Sequence, residues 1–198
     1  MVLALTKEEI IKDEAVKAAQ ALFQQYGLHK TTMEDIAKAM GRGKSTLYYY
    51  YKSKDEIFEA VIIKEIEEVF EKTKNAINAQ TLAEDKLKLY FAVLIKEVKS
   101  KSNLYYILRG ELKDNYTQVN IVIKKFNTQD VKIVKEILLL GIANGEFSNA
   151  FQDDIELLAY SAVSASRSLA VDLVIEEKFP NWDNRLEVLI NVIIKGLK

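Results

Sequence analysis

The apolar residues of this chain recur mainly at helical spacing. Between residues 7 and 26 they return every three or four positions, as Ile11, Ala15 and Ala19 do, with polar residues between them. This period predicts an amphipathic helix. Gly27 follows, and glycine readily adopts the left-handed conformation that ends many helices. The pattern therefore predicts a first helix over residues 7–26.

Two shorter helices are predicted next. Thr32 precedes an apolar-periodic stretch and Asp35 stands three positions later, the spacing of a capping box. This helix ends before Gly41 after about two turns, and a third helix begins near Lys44 with Leu47 facing inward. Two short helices joined by a glycine-containing turn, behind a longer helix, indicate a helix-turn-helix. The alternative is an αα-hairpin that only packs.

The remainder of the chain also has helical periodicity. Its breaks are polar or contain glycine, and the only proline, Pro180, separates the last two helices. One proline and seven glycines supply too few turn signals for a β-rich fold. The predicted helices lie at 54–74, 82–99, 103–113, 117–144, 153–178 and 183–197. The sequence thus predicts an all-α fold, with a three-helix helix-turn-helix domain at 1–53 and a larger helical domain at 54–198.

Composition narrows the possible chemistry. Cysteine is absent, which excludes disulfides and thiolate sites, and His29 is the only histidine, which removes most histidine-based catalysis and multi-histidine metal sites. No cofactor is expected. The net charge of −1 is uneven: residues 1–54 carry nine Lys/Arg against six Asp/Glu, and the rest of the chain is acidic. A basic front end suits a small DNA-binding module.

The sequence also bears on location. The N-terminus lacks the charged start, apolar run and cleavage site of a signal peptide. No apolar run approaches the ~20 residues that a membrane span needs. We therefore expect a cytoplasmic protein without a membrane partner.

The third helix presents residues suited to DNA. A recognition helix places its N-terminal residues against base edges in the major groove. Lys44 can donate to guanine acceptors, and Ser45 is small enough for close approach. Hydroxyls and further lysines suit phosphate contacts, which fix register. A rival motif, the end of a phosphate-binding P-loop at residues 43–45, is disfavoured because Lys38 stands where that motif needs glycine.

These residues resemble the TetR family of transcriptional regulators. The resemblance rests on Thr-Thr-Met-Glu-Asp-Ile-Ala at 31–37, on Gly41, and on Lys-Ser-Thr-Leu followed by four tyrosines and Lys-Ser-Lys at 44–54. It covers about residues 8–62. It differs from the family at Gly43, which replaces a frequent capping serine, and at Tyr51, which replaces the usual phenylalanine. The DNA contacts that the resemblance implies are Thr32, Lys44, Ser45, Thr46, Tyr48, Tyr49, Tyr50 and Lys54.

The last two helices have the composition of an interface. Residues 154–175 are rich in alanine and serine, which allow helices to approach closely, and the last helix is apolar on more than one face. We expect a homodimer formed through these two helices. The alternative is a final helix deeply buried in a monomer.

An effector site is expected in the C-terminal domain. Arg109 and Arg167 lie in apolar helices and need an anionic partner. That partner is either a protein carboxylate, with Glu97, Glu111 and Asp172 as candidates, or a ligand. Aromatic residues at helical spacing can line an apolar cavity or simply fill the core. The candidate effector-binding residues are Tyr90, Tyr105, Tyr106, Arg109, Phe126, Tyr160 and Arg167.

Together these patterns predict a dimeric, ligand-responsive transcriptional regulator and not an enzyme. By the resemblance it is a repressor that binds palindromic double-stranded operator DNA and is released by an unknown small-molecule effector. Two other interpretations stay open: a helical enzyme or lipid carrier with an incidental helix-turn-helix, and a DNA-binding protein whose body takes no ligand.

Overall fold

The computed structural model describes residues 6–100 and 117–198. This part of the chain contains α-helices and short 3₁₀ and π turns, with no strand within these ranges. Its eight α-helices are α1 Lys7–Tyr26, α2 Met33–Ala39, α3 Lys44–Tyr50, α4 Lys54–Asn78, α5 Ala83–Ser100, α6 Thr117–Ala143, α7 Ile155–Ala170 and α8 Leu186–Gly196. The all-α prediction is confirmed.

Local signals fix the starts of the first two helices. A capping box stabilises the N-terminal end of α1. The Thr6 hydroxyl accepts a hydrogen bond from the Glu9 N–H, and the Glu9 carboxylate accepts one from the Thr6 N–H. Thr32 and Asp35 form the same arrangement at the start of α2. Gly27 ends α1 with φ of 81°, in the region that favours glycine.

The chain divides into two compact units. Among the described residues, unit 1 comprises 6–65 with 117–120, and unit 2 comprises 66–100 with 121–198. The division thus falls inside α4, twelve residues beyond the boundary that the sequence predicted. The reason is that Ile57, Phe58 and Val61, at the start of α4, are fully buried within unit 1, where Phe58 meets Phe23 edge-to-face at 5.6 Å between ring centroids.

In unit 2, α7 and α8 both pack on α5. α5 contributes Leu87, Tyr90 and Phe91 to an apolar core shared with α4, α6, α7 and α8. The turn after α6 is hydrogen-bonded to the start of α5, where the Glu146 carboxylate accepts from the Ala83 and Glu84 N–H groups.

Helix limits differ from the prediction at the C-terminal end. α7 stops at Ala170 and passes into a π turn at Val171–Ile175, and a 3₁₀ turn at Trp182–Arg185 precedes α8. The predicted helix at 103–113 lies outside the described residues, as do Tyr105, Tyr106 and Arg109.

One stretch within the described ranges, Asn149–Val174, is long and apolar enough to cross a membrane by length and composition alone. About 33% of its most apolar window is buried. A core helix of a soluble protein meets the same criterion, so this is weak evidence for a membrane span.

Candidate DNA-binding surface and core polar cluster

The face of α3 that points away from the core carries most of the predicted DNA contacts. Leu47 is fully buried and anchors the helix. Lys44, Ser45 and Tyr49 are exposed, and Tyr49 has 71% of its surface accessible. These exposed groups begin at the first residue of the helix, where a recognition helix reads base edges.

The other predicted residues of α3 are less exposed. Tyr48 has 37% of its surface accessible, and Thr46 and Tyr50 are half-buried. The Tyr50 ring stands edge-to-face to Tyr49 at 4.9 Å, and Lys12 of α1 lies over Tyr50 at 5.9 Å from its centroid. Tyr50 is thereby held between neighbours. Its hydroxyl suits a phosphate contact better than base reading.

Two predicted contacts also have intramolecular partners. The Thr32 N–H and hydroxyl both donate to Asp35, at 2.9 and 2.7 Å, and these two hydrogen bonds lower the pKa of the Asp35 carboxyl. The Lys54 ammonium donates to the Leu28 and Thr31 carbonyls at 2.8 and 3.1 Å. Lys54 thus fastens the loop that leads into α2.

This surface is also shaped by three residues that the sequence did not single out, Glu14, Glu34 and Arg42, and by Lys52, one of the lysines predicted to suit a phosphate contact. The Lys44 ammonium is paired with the carboxylate of Glu34 in α2. The Arg42 guanidinium, in the turn before α3, pairs with Glu14 of α1 at 2.8 Å. The Lys52 ammonium donates to the Tyr48 and Tyr49 carbonyls and so closes the C-terminal end of α3. For the Lys44–Glu34 and Arg42–Glu14 ion pairs, the sequence offered only one signal, which was that residues 1–54 contain many acidic as well as basic residues.

In unit 2 Arg167 has an anionic partner within the chain. Its guanidinium donates to the Asp130 carboxylate of α6 at 2.5 Å. The partner is therefore a protein carboxylate, but none of the three that the sequence suggested: Glu97 pairs with Lys72 and Asp172 pairs with Lys178, while Glu111 lies outside the described residues.

The described aromatic candidates occupy three different environments. Tyr90 is fully buried beside Asp130 and Arg167. Phe126 packs against Phe70 at 4.8 Å between centroids and lines a groove between α4 and α6. Tyr160 is 61% exposed on the outer side of α7, so it does not line an enclosed cavity within this chain.

The outer side of α7 and α8 is apolar. Leu157 and Tyr160 of α7 and Val188 and Val192 of α8 each have more than 60% of their surface accessible. Between the two helices runs an apolar cleft of about 510 Å³, whose floor includes Phe91. This is a large apolar surface for a monomer to expose.

Residues 15–61 match the family model of bacterial regulatory proteins of the tetR family. The match includes all of α2 and α3 with their exposed face. Over these residues the chain is similar to the TetR family. Members of this family are transcriptional regulators that bind operator DNA and act as dimers with small-molecule effectors.

Two curated TetR-family relatives extend the likeness beyond the matched segment. The chain is 27% identical to the transcriptional repressor KstR2 of Mycolicibacterium smegmatis, over 69% of this chain and 67% of that protein. It is 25% identical to the transcriptional regulator QacR of Staphylococcus aureus, over 93% of this chain and 99% of that protein.

The fold is also similar to a solved TetR-type structure. The regulator FadR from Bacillus subtilis, solved in complex with stearoyl-CoA, superposes with a TM-score of 0.66. The likeness covers 93% of this chain and 96% of that chain, at 22% identity. At this identity the comparison supports the shared fold.

Proposed function

We propose that this protein is a cytoplasmic, dimeric repressor of the TetR family. It binds a palindromic operator through α3 of unit 1 and leaves the operator when a small molecule binds in unit 2. The observation that carries this proposal is the solvent-facing start of α3, where Lys44, Ser45 and Tyr49 are exposed while Leu47 is anchored. It works by binding and not by catalysis.

The DNA-binding step assigns different roles to the exposed residues. Lys44 and Ser45 lie at the N-terminal end of α3 and suit contacts to base edges. Tyr49 and Tyr50 carry hydroxyls further along the helix, where phosphate contacts set register. Thr32, Thr46, Tyr48 and Lys54 complete the proposed set of contacts.

Dimerisation follows from the apolar outer side of α7 and α8. The cleft between these helices is bordered by the small side chains of Ser161, Ala162 and Ala165, which let a second helix approach closely. A second copy of the chain is the occupant that fits, since both α7 and α8 also expose large apolar residues. Two copies present two α3 helices, and two half-sites multiply weak contacts.

Regulation requires that the effector bind one spacing of the two α3 helices better than the other. The described residues that we assign to the effector all lie in unit 2: Tyr90 and Arg167 in its core, and Phe126 in the groove between α4 and α6. Because FadR of Bacillus subtilis was solved with stearoyl-CoA, an effector with a large apolar part is a reasonable class for this chain.

Selection of tight-binding fragments from random double-stranded DNA tests the proposal against all possible operator sequences at once. The expected result is one enriched motif with two-fold symmetry, bound with an affinity that falls steeply as salt rises. Enrichment of no motif, with binding equal to that of random DNA, would refute operator recognition by this chain.

A further inference from the structure

Three helices of unit 2 bring polar side chains together inside an apolar core. Tyr90 comes from α5, Asp130 from α6, and Ser166 and Arg167 from α7. Tyr90, Asp130 and Ser166 each have less than 5% of their surface exposed, and the Arg167 side chain is 30% exposed. Polar groups are costly in such a place unless they are hydrogen-bonded.

Some of these groups are already satisfied. Asp130 accepts from the Arg167 Nη2 at 2.5 Å, and the Ser166 hydroxyl donates to the Val163 carbonyl at 2.9 Å. Two are not. The Tyr90 hydroxyl lies near the Ser166 hydroxyl, but neither it nor the buried Arg167 Nε has a hydrogen bond of normal geometry among the described residues.

Both unsatisfied groups are hydrogen-bond donors. An arginine Nε can only donate. Burial raises the pKa of the Tyr90 hydroxyl, and the nearby Asp130 carboxylate raises it further, so this hydroxyl keeps its proton and remains a donor. The missing partner of Arg167 is therefore an acceptor, and the Tyr90 hydroxyl can donate to an acceptor as well.

The charge at this cluster is already balanced. Asp130 neutralises Arg167, and an incoming carboxylate would have to lie beside the buried Asp130 charge. Like charges at short distance in a low-dielectric interior repel strongly. An uncharged acceptor avoids that repulsion and can still accept a hydrogen bond from these donors.

We infer that Tyr90 and Arg167 bind the effector through an uncharged hydrogen-bond acceptor, such as a ketone, ester or amide carbonyl, and that Asp130 excludes carboxylates from this position. The inference rests on the proposed function, because it assigns the chemistry of the effector site in unit 2. In this assignment Asp130 is a specificity-determining residue.

Matched pairs of small probes test the selection. Heptyl methyl ketone and octanoate share one chain, and acetophenone and benzoate share one ring; each pair differs in charge. Binding to the full-length protein is measured by saturation-transfer NMR titration. Wild type is expected to bind each ketone at least tenfold more tightly than its carboxylate. Asp130→Asn, which leaves Arg167 without its partner charge, is expected to reverse that order.

Tyr90→Phe provides a second test that does not depend on the stability of the Asp130 variant. Removing a hydroxyl without a partner should raise the melting temperature of the free protein, while ketone binding weakens at least tenfold. A hydroxyl that served only the fold would instead lower the melting temperature when removed. Tyr26→Phe, at an exposed tyrosine of α1, is the control and should change neither quantity.

The inference is overturned if wild type binds neither ketone, if it prefers the carboxylates, or if Tyr90→Phe destabilises the protein. These results would leave the proposed function standing as long as the unliganded protein selects a symmetric operator. Failure of that selection would instead remove the proposed function, whichever probe binds.

Discussion

Lys44 at the start of α3 forms an ion pair with Glu34 of α2, and both side chains are more than half exposed. The lysine that we assign to base reading is thus already paired with a carboxylate in the free protein. Lys44 must exchange this partner for DNA, and Glu34 is then left without a partner close to the phosphates. Glu34 should therefore restrain DNA affinity.

Glu34→Gln is predicted to strengthen operator binding by roughly two- to fivefold at low salt, because the solvent-exposed ion pair that Lys44 must break is weak. The plot of log affinity against log salt should also become steeper by up to about one, since Lys44 then contributes its full counterion release. Fluorescence anisotropy across a salt series measures both. The matched control is Glu156→Gln, which removes a similarly exposed partner from Lys135 in unit 2. An equal gain in the control, or no gain in Glu34→Gln, would show that Glu34 does not compete for Lys44.

Gly141 in α6 is required by the packing of Phe147. A Cβ at position 141 would lie 2.0 Å from the Phe147 ring, and Phe147 is buried with only 5% of its surface exposed. Gly141→Ala is predicted to lower the free energy of unfolding by about 1–3 kcal/mol, because overpacking outweighs the better helix propensity of alanine. Gly196→Ala in α8 meets open space and should leave stability unchanged or slightly higher. Urea unfolding compares the two, and equal stabilities would refute the steric account.

The Glu146 carboxylate gives unit 2 a contribution to stability that depends on pH. Partial burial opposes its ionisation, but hydrogen bonds from the Glu84 and Ala83 N–H groups and from Asn144 outweigh it and lower the pKa of Glu146. A lowered folded-state pKa means stability that is present above the unfolded value, near 4.5, and is lost as pH falls through the folded value. Glu146→Gln should therefore be less stable than wild type at neutral pH, with a difference that shrinks below about pH 4. Thermal unfolding between neutral and acidic pH measures the difference; a gap that stays constant would contradict this linkage.

The outer side of α8 is predicted to hold the dimer. Val188→Asp combined with Val192→Asp places two charges where apolar side chains are 65% and 63% exposed. Burying those charges in an interface is unfavourable, so the variant should sediment as a folded monomer. The control combines Leu82→Asp with Phe179→Asp, at two exposed apolar residues outside α7 and α8, and should stay dimeric. A dimeric Val188/Val192 variant would place the interface elsewhere.

Elements with local signals were predictable from the sequence. Periodicity and Gly27 predicted the limits of α1, and Thr32 with Asp35 predicted the start of α2, because a cap needs only residues three positions apart. The end of α7 was not predictable in this way. Its passage into a π turn at Val171–Ile175 occurs without glycine or proline, among residues that continue the helical pattern.

Long-range partners could not be predicted. Arg167 clearly needed a carboxylate, but the choice of Asp130, 37 positions away, depends on how α6 and α7 are rotated against each other. The partnership of Lys44 with Glu34 depends in the same way on the angle between α2 and α3. Motif and periodicity identify which residues are special, whereas packing decides which of them meet.

Operator binding by Lys44→Ala combined with Tyr49→Ala tests whether α3 reads DNA, and it is measured by anisotropy on the selected symmetric site and on random DNA. The matched control is Lys17→Ala combined with Tyr26→Ala, which removes an exposed lysine and an exposed tyrosine from α1. The α3 variant should lose its preference for the operator while keeping its fold, and the control should bind as wild type does. Operator preference that survives in the α3 variant would contradict the assignment of α3 as the helix that reads DNA.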